Sequence, residues 1–348
     1  MPVVRLAATT ALVLSLAAPA AAQPEVFRFG AIGDTSYSKR GEQEFDRMLD
    51  AMNKEKLAFI VHVGDFQADP RPYQRAPDRI TRPCTDENYA RVLATFQRSA
   101  APFILTPGDN DWTDCHLLKD PAVDPLDRLT KVRAMFFPDG KSLGARTLPV
   151  QSQASDKGFE TFRENLSWTY NGVVFATFHT VGSNDNTGRT PEMDAEQAAR
   201  TAANLAWIAK AFAAARAPDI KGLVLVTQAN VAFEAHWSAS LKARYVRSAG
   251  GTVPKEASAS PYHELVSLVA SEMEGFGKPA LFIHGDTHLF RLNNPLPSRK
   301  SGRFFQNLTR LEVFGDPDTH WVRVTVDPAN PALFTIEQMV VPENDPNR

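Results

Sequence analysis

The chain has 348 residues, 43% of them hydrophobic, with 38 Lys and Arg against 40 Asp and Glu. A formal charge of −2 provides no basic field for a phosphate backbone, so no nucleic-acid partner is expected. The length suits one large domain or two small ones, with ample apolar side chains for a core.

Met1 to Ala22 has one early cation, Arg5, an apolar stretch Ala11 to Leu16 and a small-residue end Ala20-Ala21-Ala22 before Gln23. That is the pattern of a cleavable signal peptide. No later uncharged run reaches the ~20 residues of a membrane span. The expected mature chain is one exported domain over 23–348, secreted or periplasmic, with no membrane span and no stated oligomeric state. Export places Cys84 and Cys115, the two cysteines, in an oxidising compartment, and they are expected to pair. Two free thiols or a metal role are the alternatives.

Strand and helix patterns alternate as an α/β protein requires. Residues 26–32 read as a strand, and Phe45, Met48, Leu49 and Met52 fall at helical spacing, so 41–56 reads as an amphipathic helix. A second strand is expected over 57–63, a helix capped by Asp86, and a third strand over 102–106. Helices are expected over 124–137, 195–215 and 261–275, and strands over 173–181, 222–227 and 280–284. Residues 138–163 read as irregular. The tail carries strand-like runs at 308–314, 321–326 and 334–341, which suggest the antiparallel end of a second sheet.

Four apolar runs stop at Gly-Asp: Gly33-Asp34, Gly64-Asp65, Gly108-Asp109 and Gly285-Asp286. Gly permits a tight turn at a strand end, and the following side chain projects into the crevice where α/β sheets bind ligands. Carboxylates gathered there repel one another unless a hard cation neutralises them. Gly315-Asp316-Pro317 reads as an ordinary turn.

Asp34, Gly64-Asp65, Pro107-Gly108-Asp109-Asn110-Asp111, the strand-end Gln228 and Gly285-Asp286-Thr287-His288 occur in the order used by the calcineurin-like metallophosphoesterases. The chain resembles that family over nearly all of its mature length. The resemblance implies a four-layer αββα sandwich of two mixed sheets flanked by helices. It also implies a site for two divalent metals. Asp34, Asp65 and His288 would take one. Asp65, Asn110 or Asp109, Gln228 and Asp286 would take the other, with Asp65 bridging. Ser36, Gln228 and Asp286 stand where the family has histidines. In the third motif either Asp109 or Asn110 is the ligand; the second alignment puts Asp111 in the position of the catalytic His. A site so poor in imidazole favours Mn²⁺, Mg²⁺ or Ca²⁺ over Zn²⁺, with Fe as a further choice.

The implied activity is hydrolysis of a small phosphomonoester or phosphodiester. A catalytically weakened relative that binds a metal or phosphorylated ligand is the alternative. His116, beside the third motif, is the candidate substitute acid. Tyr37 and Arg40 are candidate phosphate contacts, as are Arg71, Arg75, Arg79 and Arg82 in the Pro-rich loop. His62 and His284 read as core or supporting residues, and Trp112 as packing beneath the turn.

Overall fold

The computed structural model describes residues 25–70, 83–119, 122–249 and 257–345. The proposed signal peptide and Arg71, Arg75, Arg79 and Arg82 lie outside the described residues. The strands, numbered in chain order, are β1 Phe27–Ile32, β2 Ile60–His62, β3 Phe103–Leu105, β4 Gln151–Ser152, β5 Leu166–Tyr170, β6 Val173–Thr177, β7 Gly222–Val226, β8 Ala280–His284, β9 Arg291–Asn293, β10 Leu308–Glu312, β11 Trp321–Val326 and β12 Phe334–Met339. They form a five-stranded sheet ordered β12-β11-β1-β2-β3 and a seven-stranded sheet ordered β4-β5-β6-β7-β8-β10-β9. Both are mixed: β1, β2 and β3 run parallel, as do β6, β7, β8 and β10, while the outer strands are antiparallel.

Strand side chains alternate between faces, and here that period divides two cores. Val173 and Phe175, Val224 and Val226, and Leu281 and Ile283 face the first sheet, where they meet Phe29, Phe59 and Val324. Their neighbours Val174, Leu223, Leu225 and Phe282 lie on the other face with Trp207, Phe212, Val266 and Val269. The last four belong to helices Pro191–Ala215 and His263–Met273. Helix Lys39–Asn53 covers the outer face of the first sheet through Phe45, Met48 and Met52. The result is the expected layered α/β sandwich.

Three local departures have physical causes. Thr85, rather than Asp86, caps helix Asp86–Phe96, its side chain accepting from the Asn88 amide; Asp86 occupies the first turn, where an acid suits the helix dipole. β5 lies just beyond the stretch expected to be irregular, which itself contains β4. The tail splits: β10 joins the second sheet in parallel beside β8, while β11 and β12 extend the first sheet beside β1. Tail pairing depends on long-range partners, which local periodicity does not carry.

Candidate metal-binding active site

The acidic turns follow neighbouring parallel strands. Asp34, Asp65 and Asp109 follow β1, β2 and β3; Gln228 and Asp286 follow β7 and β8. The two sheets therefore present these side chains to each other across one end of the sandwich. The left-handed backbone expected of glycine falls in several turns on the acid itself, with φ of 51° at Asp34, 56° at Asp65 and 85° at Asp286. Gly108 and Gly285 serve close approach: a Cβ there would lie 2.0 Å from Asp65 Oδ1 and 1.9 Å from Asp34 Oδ2.

Asp34, Asp65, Asp109, Gln228, Asp286 and His288 converge. The Gln228 Nε2 amide donates to Asp65 Oδ2 and to Asp109 Oδ1, each at 3.2 Å. The Asp286 backbone N–H donates to Asp34 Oδ1 at 2.9 Å. His288 Nε2 is 3.9 Å from Asp34 Oδ1, and the Tyr37 hydroxyl lies 3.4 Å from both Asp65 Oδ2 and His288 Nε2. Burial raises the Asp34 and Asp65 carboxyls well above the ordinary carboxylate range, with neighbouring carboxylates adding to the effect. The Asp286 carboxyl is pushed up to about 7, by burial first and Asp109 second.

Among the described residues, no group of three or more His, Cys, Asp or Glu side chains stands arranged to hold a metal ion. The donor chemistry nevertheless fits a hard cation beside Asp34. Asp34 Oδ2 is buried without a hydrogen-bond partner. His288 Nδ1 sits 2.7 Å from the Asp316 carbonyl. A carbonyl only accepts, so Nδ1 carries the proton and Nε2 presents its lone pair toward Asp34. Asp34, Asp65 and His288 are thus the residues that would hold a cation.

Other sequence expectations find different places. Asp111 is fully buried, and its carboxylate accepts the backbone N–H groups of Asp65, Phe66 and Gly108 at 3.0, 2.9 and 2.7 Å. It buckles the second acidic turn to the third. Asp109, rather than Asn110, shares the Gln228 amide with Asp65; the Asn110 N–H instead donates to Asp65 Oδ1. His116 Nδ1 donates to the Thr113 carbonyl at 2.8 Å. Among the described residues, no hydrogen bond or ion pair joins His116 to the cluster. Arg40 pairs with Glu44 along its own helix. Cys84 and Cys115 form the expected disulfide, with Cα atoms 5.9 Å apart.

Two features escaped the sequence reading. Ser183, Asn184, Asp185 and Asn186 are all left-handed, with φ of 46°, 59°, 52° and 69°. Such geometry costs roughly 1–2 kcal/mol per non-glycine residue and persists only where surroundings impose it. Here Asp185 accepts from the Val181 N–H and from fully buried Arg200, while the Tyr262 hydroxyl donates to the Val181 carbonyl. Gly182, at the head of this run, leaves just enough room for Asp109 and Asp286; a Cβ there would lie 2.6 Å from an oxygen of each. Arg189 is the second feature. Its Nη1 donates to Thr113 Oγ1 and Asn186 Oδ1, its Nη2 stays 3.5 Å from Asp114, and Asp109 is close enough to act on its charge. The signal for both was the run of Gly, Asn and Asp at 182–186, residue types that tolerate left-handed backbone.

Beside the cluster a cavity of about 440 Å³ is lined by Asp286, Ser183, Asn184, Asn230, Tyr262 and Arg291, among others. Elsewhere in the interior, Trp112 Nε1 donates to His179 Nε2, His179 Nδ1 donates to Glu164, and Glu164 is clamped by Arg133. That chain fixes His179 as a neutral packing partner and seats Trp112 under the third turn.

No family model matches the chain, and no curated protein matches its sequence. Among solved structures, PhoD superimposes with a TM-score of 0.54 at 13% identity, over 91% of this chain and 69% of PhoD. What the two share is the fold. A 5'-nucleotidase from Candida albicans gives 0.41 at 11% identity, over 90% and 50% of the two chains. A phosphatase from Mycoplasma pneumoniae gives 0.38 at 9%, over 92% and 97%. Overlaps of that size do not establish a common fold.

Proposed function

We propose that this chain is an exported metal-dependent phosphoesterase acting on a small phosphomonoester or phosphodiester. The observation that carries the reading is the convergence of buried Asp34, Asp65 and Asp109 with half-buried Asp286, beside a histidine whose lone pair faces Asp34. Burial of so many carboxylates without a cation is costly, and the raised carboxyls record that cost. The match to the order of metallophosphoesterase motifs and the fold shared with PhoD both support this assignment.

A bound divalent cation supplies charge neutralisation at the phosphoryl group and acidity at a coordinated water. The protein side chains bind and orient. Arg189 is placed to take non-bridging phosphoryl oxygens: Thr113 and Asn186 aim its guanidinium, and Asp114 holds Nη2 in an ion pair at 3.5 Å that leaves its other N–H groups to a ligand. Tyr37 closes the side nearest His288. The cavity beyond Asp286 would hold the leaving group. The Met1 to Ala22 pattern and the disulfide support an extracytoplasmic location, and among the described residues no helix is long and apolar enough to cross a membrane.

The test is metal analysis of purified protein joined to hydrolysis of p-nitrophenyl phosphate and bis-p-nitrophenyl phosphate, after chelation and after return of Mn²⁺, Mg²⁺ or Ca²⁺. Activity restored by one of these ions supports the proposal. One observation favours a second reading, a binding protein without turnover: Asp111 is committed to backbone amides and His116 stands apart from the cluster, so neither serves as a proton donor. Tight metal and phosphate binding with no hydrolysis of either ester would select it.

A further inference from the structure

Gln228 stands at the centre of the second expected metal position, and its orientation is fixed. An amide's oxygen and nitrogen ends are normally assigned by their partners. Here one partner is a backbone N–H, which can only donate: Gly182 N lies 2.7 Å from Gln228 Oε1. The oxygen end therefore faces Gly182, and the NH₂ end faces the carboxylates. Nε2 is 3.2 Å from Asp65 Oδ2 and 3.2 Å from Asp109 Oδ1, so its two N–H groups are both committed to carboxylates.

These two carboxylates, with Asp286 beside them, are the acids expected to surround a second cation. An amide nitrogen has no lone pair to give a metal, and it carries two N–H donors. Metal–oxygen contacts for such ions are about 2.0–2.6 Å, so a cation could reach Asp65 and Asp109 only by evicting the amide. Eviction would break the bond to Gly182 N. Gly182 is held in turn, because its Cα approaches Asp109 and Asp286 and the left-handed run that follows is pinned by Arg200 and Tyr262.

We infer that the Gln228 amide takes the place of the second cation, so that this site holds one divalent ion, on Asp34, Asp65 and His288. The inference rests on the metalloenzyme reading above and corrects its expected pair of ions, along with the role of Gln228 as a ligand. Asp109 is then the partner of the amide, and Asp286 of a backbone N–H; Asn230 N donates to Asp286 Oδ2 at 2.9 Å.

The experiment is titration of chelated, metal-free protein with Mn²⁺, followed by calorimetry, elemental analysis after gel filtration, and Mn²⁺ electron paramagnetic resonance. Wild type is compared with Gln228→His, which restores a lone pair, and Gln228→Glu, which adds a carboxylate in the same volume. Thermal unfolding confirms that each variant is folded. The expected result is about one equivalent and an uncoupled Mn²⁺ signal for wild type, rising toward about two equivalents with a coupled signal in at least one variant. Two tight equivalents in wild type would overturn the inference and leave the phosphoesterase reading standing. No tight Mn²⁺ in wild type would overturn both. One equivalent in all three proteins would overturn the assignment to Gln228.

Discussion

Replacing both cysteines with alanine, Cys84→Ala with Cys115→Ala, separates the disulfide's effect on the unfolded chain from its effect on the site. The bridge closes a segment of 31 residues. Chain-entropy reasoning for a loop of that size gives a stabilisation of about 3.7 kcal/mol. That term acts through the unfolded state. Alanine is the proper replacement because both sulfurs are buried, and serine would add unsatisfied hydroxyls. In the native state the two segments have a second tie: Gln67 Oε1 accepts the Cys84 N–H at 3.0 Å, and Gln67 Nε2 donates to the Asn110 carbonyl at 2.7 Å. Urea unfolding should therefore show a loss of about 3–5 kcal/mol with a larger m-value, as the freed chain expands. Mn²⁺ affinity, which depends on the folded turn, should change by less than about tenfold, a bound of about 1.4 kcal/mol. A stability loss under about 1 kcal/mol would refute the entropic argument. Loss of Mn²⁺ binding in the still-folded variant would show that the bridge, rather than Gln67 and Asp111, holds the third turn.

Asp65→Asn should abolish tight Mn²⁺ binding while leaving the metal-free protein as stable or more so, because it removes one of several repelling buried carboxylates; a lower melting temperature without metal would contradict this. Arg189→Gln should raise the dissociation constant for inorganic phosphate about tenfold or more in Mn²⁺-loaded protein, at unchanged Mn²⁺ content, and Asp114→Asn should not. Equal losses in both variants would mean that Arg189 is merely part of a structural ion pair. His62 is buried among Phe45, Phe96 and Phe103, and burial holds its imidazole down to about 3. The unfolded chain binds the extra proton below about pH 6.5, so this contribution is intact above that pH and erodes by about 1.4 kcal/mol per unit down to about pH 3. His62→Phe should flatten the acid limb of the stability curve by that slope, and an unchanged slope would place the titrating group elsewhere.

The sequence carried the strands and helices wherever one periodicity dominated, as in the run before Asp65 or the stripe of Phe45, Met48 and Met52. It also carried the acidic turns, because strand-end carboxylates with adjacent glycines form a local pattern. The pairing of β11 with β1 was not legible, since nothing local in Trp321 to Val326 names a partner. Nor was the commitment of Asp111, whose three donors come from two different turns. The strand-end position of Gln228 was legible, but which end of its amide faced the acids depended on Gly182, 46 residues away. Arg189 was missed because its position depends on a left-handed run that short-range propensity permits without requiring.

The placement of β11 beside β1 bears on the order in which the molecule can be completed. Asp316, just before β11, gives its N–H to the Asp34 carbonyl at 2.8 Å and its own carbonyl to His288. The first acidic turn and His288 are thus both fastened by a residue in the last tenth of the chain. A fragment ending before Asp316 keeps every carboxylate of the cluster, yet leaves one edge of β1 open and the His288 ring without the acceptor that orients it. Metal capture should consequently be a late event, coupled to docking of the tail, and a stalled or clipped chain would expose a sheet edge in place of a working site.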